Sequence, residues 1–327
     1  MLISAINRQK FTRVPMELLQ FGSFEEYEAA VVDVDLKVRL LGPRDGGWRL
    51  GHANVGGITV QRGIETVPNL CEAAVATTHL MFLISDAGPG SAWLNGAELG
   101  PDKVAVLAPG QGFVFRADGP NSWVTIAVPL SSPMFQADGE VGQVLRYWTR
   151  STKVLTATPS RIVALQQAAL SADGSCMAGE AGRLSIERAI ASLVFSRQPQ
   201  PAASGRPGIS LHDLCNATLS HFRAMDADMS GATRYDGLKV GERSLRTFFR
   251  HCFGLSPIQY MHLRQLHAVH AALASAAAEE WSIADIFERQ GYPYSNYALT
   301  RYRALFGETP SATRRRLFIG TGQLEAG

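Results

Sequence analysis

The sequence predicts an α+β chain: a β-sandwich or jelly roll, two helices after it, and then an all-helical part. Three observations predict this. Short apolar runs punctuated by turn residues fill the chain as far as Leu130. From about Ser132 the apolar spacing changes from a strand-like period to the helical period of about 3.6. One helix ending is also written twice, as "FFRHCFGLSP" at 248–257 and as "RYRALFGETP" at 301–310, an offset of 301 − 248 = 53.

Strands come first. "ITVQRG", "AAVATTHLMFLIS", "SAWLNGAEL", "KVAVLAPGQGFVFRA" and "SWVTIAVPL" read as strand candidates bounded by turn signals. Asn95-Gly96 is a two-residue hairpin signal, because both residues accept positive φ. Pro109-Gly110 and Gly119-Pro120 mark further turns. Many strands at close spacing suggest an antiparallel barrel or a two-sheet jelly roll.

The helices follow. "PSRIVALQQAALSAD" is apolar at Ile162, Leu165, Ala169 and Leu170, and "GRLSIERAIASLVFSRQ" at Leu184, Ile186, Ile190, Leu193 and Val194. Such stripes predict lids on the sandwich or a dimer face. "RQPQPAASGRPG", rich in Pro, Ala, Ser and Gly, reads as an interdomain linker. The expected division is residues 1–196, a linker at 197–208, and a helical domain at 209–327.

Composition narrows the class. The 327 residues are 46% hydrophobic and 18% charged, as in ordinary soluble globular proteins. Four scattered cysteines without a CxxC pair argue against a zinc ribbon or a disulfide framework. The N-terminus lacks a secretory pattern, and no run of about 18 apolar residues predicts a membrane span. The expected location is the cytoplasm. Residues 1–204 carry 17 Lys+Arg against 18 Asp+Glu (−1), and residues 205–327 carry 14 against 11 (+3). That asymmetry permits nucleic-acid binding by the second part.

The repeated segment has a physical reading. In "VGERSLRTFFRHCFGLSP" a helix starts near Gly241 and ends before Gly254, with Leu245, Phe248, Phe249, Cys252 and Phe253 on one face. Arg243, Arg246, Thr247 and Arg250 fall on the other face, a pattern suited to a DNA major groove. In the second copy Tyr297, Leu299, Tyr302, Leu305 and Phe306 are expected inside, and Ser295, Asn296, Thr300 and Arg303 outside. "SIADIFERQG" precedes it as a supporting helix, with Ser282 and Asp285 in a near capping box. "PIQYMHLRQLHAVHAALASAA" joins the copies as one helix of about 20 residues, roughly 30 Å long. Two reading helices on such a spacer suit two successive major grooves.

These residues resemble the AraC/XylS family of bacterial transcription regulators over about residues 228–317. The resemblance rests on "ERSLRTFFRHCFGLSPIQYMHLRQLHA" and on the ordered set Gly291, Tyr292, Tyr302, Arg303, Phe306, Gly307, Pro310 and Arg314. It implies two helix-turn-helix units on a connecting helix and, in the strand-rich half, a cupin-like effector or dimerisation domain. It further implies double-stranded promoter DNA, RNA polymerase, a small organic effector and a second copy of the chain as partners, with activation as the outcome. "SGATRYDGLKV" departs from the family as a weak first supporting helix, and Gly241 stands where a capping Ser is usual.

Other chemistries find little support. Cupin metal sites need clustered His ligands, and the first 200 residues hold only His52 and His79. No catalytic residues, metal or cofactor are therefore expected. His262, His267 and His270 read as surface histidines. Arg49, His52, Phe82, Trp93, Phe113 and Trp123 are candidate lining for an effector cavity. The competing reading is a small-molecule-binding cupin whose helical tail mediates protein interaction only.

Overall fold

The computed structural model describes residues 16–43, 46–86, 91–171, 178–196, 211–228, 241–275 and 280–321. The first half holds β1 (Leu19–Phe21), α1 (Phe24–Ala30), β2 (Val34–Leu40), β3 (Trp48–Val55), β4 (Ile58–Glu65), β5 (Asn69–Val75) and β6 (His79–Ser85). It continues with β7 (Ala92–Leu94), β8 (Ala97–Glu98), β9 (Lys103–Leu107), β10 (Gly112–Ala117) and β11 (Asn121–Pro129). Next come α2 (Pro133–Gln136), α3 (Glu140–Trp148), β12 (Lys153–Thr156), α4 (Pro159–Ser171) and α5 (Ala178–Ser196). The rest is helical: α6 (Leu211–Asp228), α7 (Glu242–Cys252), α8 (Pro257–Leu273), α9 (Ile283–Arg289), α10 (Asn296–Phe306) and α11 (Pro310–Thr321).

The strands form two antiparallel sheets, β1-β3-β4-β11-β6-β9-β12 and β2-β5-β10-β7-β8. The fold is α+β. In the first sheet, alternate residues go to different layers. Val124, Ile126 and Val128 of β11, with Leu80, Phe82 and Ile84 of β6, meet the helices α2–α5. Trp123 and Ala127, with Met81 and Leu83, face the second sheet. Both faces of β6 are buried, so "HLMFLIS" reads as a continuous apolar run instead of alternating. Asn95 and Gly96 take φ of 49° and 84°, the conformation their hairpin requires.

The apolar stripes of α4 and α5 bury Ile162, Leu165, Ile186 and Ile190 against the first sheet. They are lids. The outer face of the second sheet is covered by the C-terminal helices. A single apolar cluster runs from Leu70 and Val114 of the sandwich through Leu219 and Phe222 of α6 to Phe249, Tyr260 and Phe306. The expected linker at 197–208 and the weak supporting segment at 230–240 lie outside the described residues.

The repeated endings come from the same chemistry. Gly254 and Gly307 follow α7 and α10 with φ of 71° and 69°, left-handed positions that glycine fills at least cost. Ser256 and Gln259 cap α8, and Ser282 and Asp285 cap α9, each as a complete capping box. The connecting helix α8 is shorter than expected. It ends at Leu273 after 17 residues, roughly 25 Å. Among the described residues no helix is long and apolar enough to cross a membrane.

Candidate nucleic-acid interface

Helix α7 buries Leu245, Phe248, Phe249 and Cys252. Phe249 stacks on Phe253 at a centroid distance of 4.7 Å, and Phe253 leans on Tyr260 of α8 at 4.5 Å. That aromatic block fixes which face looks outward. Arg243, Arg246, Thr247 and Arg250 are all exposed there and, with Glu242, line a shallow concavity of about 440 Å³. Arg246 pairs with Glu242 one turn back, and the Thr247 hydroxyl donates to the Arg243 carbonyl at 3.0 Å. Three guanidiniums on one exposed helix face can meet phosphates or guanine edges.

Helix α10 repeats the plan with weaker chemistry. Ala298, Tyr302, Leu305 and Phe306 are buried. Ser295, Asn296, Thr300 and Arg303 are exposed, and a concavity of about 390 Å³ is lined by Thr300 and Arg303 with Tyr294, Thr309 and Ser311. Two of the candidate polar groups are engaged within the helix. Ser295 Oγ accepts the Ala298 N–H at 3.2 Å as the N-cap, and the Thr300 hydroxyl donates to the Asn296 carbonyl at 2.9 Å. Tyr297 departs from the sequence expectation: it is 67% exposed and stands on the outer face.

Helix α8 carries more than a spacing role. Tyr260, Arg264, His267 and His270 form a buried stripe on it. Glu72 of β5 accepts from the Tyr260 hydroxyl at 2.6 Å and from Arg264 at 2.9 Å, and it also pairs with Arg39 of β2 at 2.8 Å. Burial alone would raise the Glu72 pKa, but the two guanidiniums outweigh it and hold the carboxyl at about 2. Arg264 also lies over the Phe222 ring at 4.3 Å. The Leu40 N–H donates to His267 Nε2 at 3.0 Å, so that nitrogen is unprotonated. Burial pushes the His267 pKa well down, with Arg39 and His270 adding to it.

The histidines therefore correct the sequence reading. His267 and His270 are 4% and 2% exposed, and only His262 is a surface group. They lie on the helix face that meets the sandwich, and their partners are far off in sequence. The β7–β8 hairpin makes a second contact with the helical part. Asn95 bonds His212 at 2.8 Å, and a Cβ added at Gly96 would come within 2.3 Å of the His251 ring at the end of α7. None of Arg39, Glu72, Tyr260 or Arg264 stood out in the sequence. The available signal was four ionisable side chains, Tyr260, Arg264, His267 and His270, on a helix stripe that otherwise reads as core.

The six candidate cavity residues do not gather at one place. Phe113 and Trp123 line a cavity of about 50 Å³ between the sheets, with Glu65, Cys71, Leu83 and Thr125. Glu65 accepts from Tyr27 and from Trp123 at 2.7 Å each. Phe82 points the other way, against Trp148 at 6.1 Å. Arg49 and His52 are exposed on β3, and Trp93 lies under Arg116 on the outside of the second sheet. Among the described residues no three His, Cys, Asp or Glu side chains converge to hold a metal.

Exposed polar faces on α7 and α10, on either side of the capped helix α8, fit a double helix-turn-helix arrangement; the second unit, α9 and α10, is described whole, and the supporting segment of the first lies outside the described residues. A helix-turn-helix domain family matches residues 236–316. The XylDLEGF operon transcriptional activator 2 of Pseudomonas putida is 34% identical over 74 residues, 23% of this chain and 47% of that protein. The chain thus spans about half the length of that curated relative. Within residues 236–316 the C-terminal part is a helix-turn-helix domain. The AraC-like transcriptional activator CuxR superposes with a TM-score of 0.40 at 14% identity, over 84% of this chain and 99% of that one. ToxT from Vibrio cholerae O395 superposes with a TM-score of 0.27 at 10% identity, over 88% and 98%.

Proposed function

We propose that this chain is a sequence-specific DNA-binding transcription regulator, an activator acting through RNA polymerase. The observation that carries the reading is the pair of exposed reading faces on α7 and α10, set 53 residues apart and joined by the capped helix α8. The name of the Pseudomonas putida relative supports activation as the outcome. The DNA-binding unit is residues 209–327, and Arg243, Arg246, Thr247, Arg250, Asn296, Thr300 and Arg303 are its contacts. Ser295 serves first as a cap. Residues 1–196 form a cupin-like effector or dimerisation domain without catalytic activity. The chain works in the cytoplasm.

The full chain should select a defined duplex from a random DNA pool and bind it with an affinity that falls linearly in log salt. If no duplex binds at low salt, the helical part is a protein-interaction module and the regulator reading is lost.

The second copy of the chain would dock on the outside of α4 and α5. Their inner stripes are occupied by the sheet, but Val163, Leu184 and Phe195 remain 45%, 38% and 62% exposed. A C2 pairing there would place two DNA-binding units side by side. Sedimentation should give a dimer at micromolar concentration and a monomer for Phe195→Glu. A monomeric wild-type chain removes the dimer from the proposal.

A further inference from the structure

The second reading helix has no arginine at the repeat positions of Arg243 and Arg246; its own arginines, Arg301 and Arg303, lie in its C-terminal half. Leu299 stands at the repeat position of Arg246 (299 − 246 = 53) and is half-buried. The hydroxyls of Ser295 and Thr300 are engaged by their own helix. What the helix presents instead is Asn296 with Tyr297 beside it, in its first turn. Tyr297 occupies the repeat position of Ser244, also an exposed site (297 − 244 = 53). Its ring is the most exposed aromatic on the helix, 67% against 0% for Tyr302 and 1% for Phe306. Among the described residues no hydrogen bond or ring contact accounts for a large ring left in water at the leading end of a groove-facing helix.

We propose that Tyr297 is a specificity-determining residue of the second unit, packing its ring against the C5 methyl of a thymine in the major groove. The proposal rests on the reading of α10 as a groove-entering helix. Thymine is the base that offers an apolar group in that groove. The neighbouring Asn296 carries the amide that pairs with the N6 and N7 edge of adenine. The two side chains together define an A·T-reading surface. Arg243 and Arg246 on α7 define a guanine-reading one. The operator should therefore be asymmetric under each chain, G-containing beneath α7 and A·T beneath α10.

The test is selection from a random duplex pool by the wild type, Tyr297→Ala and Tyr297→Phe, followed by binding to the selected site with individual thymines replaced by deoxyuridine. Tyr297 is exposed, so both variants should melt with the wild type. One thymine should lose its preference with Tyr297→Ala and keep it with Tyr297→Phe. Removing that thymine's methyl should weaken wild-type binding about fourfold, the effect of one buried methyl, and leave Tyr297→Ala unchanged. A wild type that selects no sequence removes the regulator reading itself. A wild type that selects a site which Tyr297→Ala selects identically removes only this assignment. Equal loss for every sequence would mark a phosphate contact, and that result also overturns the thymine assignment.

Discussion

Glu72→Ala is expected to lower the stability of the whole chain by about 3–5 kcal/mol, measured as a shift in the urea midpoint. The variant removes the carboxylate that pairs with the guanidiniums of Arg39 and Arg264 and strips the Tyr260 hydroxyl of its acceptor. Glu72→Gln should restore part of the hydrogen bonding but not the charge. Simultaneous apolar replacement of Arg39, Glu72 and Arg264 should recover much of the loss, since desolvating the ions costs about what their attraction returns. The pH dependence has a definite sign. A carboxyl held at about 2 against an unfolded value near 4.3 contributes about 3 kcal/mol at neutral pH. That contribution is present above the unfolded value and is lost as pH falls through about 2. His267 acts earlier. Its depressed pKa means that the neutral form is favoured by folding, so stability should already decline as pH falls below about 6.5. A wild-type midpoint that stays flat from pH 7 to pH 5 would refute the role given to His267.

Arg246→Ala is expected to cost roughly 1–3 kcal/mol of specific binding and to relax base preference in one half of the operator. Arg303→Ala should weaken binding to all sequences and flatten the salt slope. The difference follows from position. Arg246 lies mid-helix on the open face of α7, paired with the exposed Glu242 carboxylate, an interaction worth about a few tenths of a kcal/mol. Arg303 lies near the end of α10, where its repeat partner on α7 is Arg250 (303 − 250 = 53). A guanidinium at a helix end meets the backbone more naturally than a base edge. Binding across a randomised operator library separates the two. Equal loss for all sequences on Arg246→Ala would move the base reading off α7.

What the sequence revealed depended on the range of the interactions. Caps are local, so Gly254, Gly307 and Ser282 announced their helices directly. The Asn95-Gly96 turn was legible for the same reason. "VDLKVRL" was passed over although Leu36, Val38 and Leu40 alternate with Asp35, Lys37 and Arg39 as in a half-buried strand, and nothing nearby explains a part-buried arginine. Its partner, Glu72, lies 33 residues away, and Arg264 lies 192 from Glu72. The period of two separates Met81 from Phe82 but does not say which face holds a cavity, so Phe82 was placed in the wrong layer. Tyr297 sits at the margin of the apolar stripe of α10, where a 3.6 period leaves both sides open.

The contact between the β7–β8 hairpin and α7 bears on how such a chain tolerates recombination. Gly96 combines a φ of 84° with a neighbour, the His251 ring, that leaves no room for a side chain. Gly254, at the end of the same helix, is crowded by Arg116 from β10. Each surface is moulded on the other, and the shared ion cluster requires residues from both. A sandwich transplanted onto the helical unit of another regulator would bring Gly96, Arg116, Arg39 and Glu72 to a surface without their complements. The two halves are therefore heritable as one piece. Hybrids spliced near residue 200 should fold only when the donor and recipient sides of this seam are carried across together.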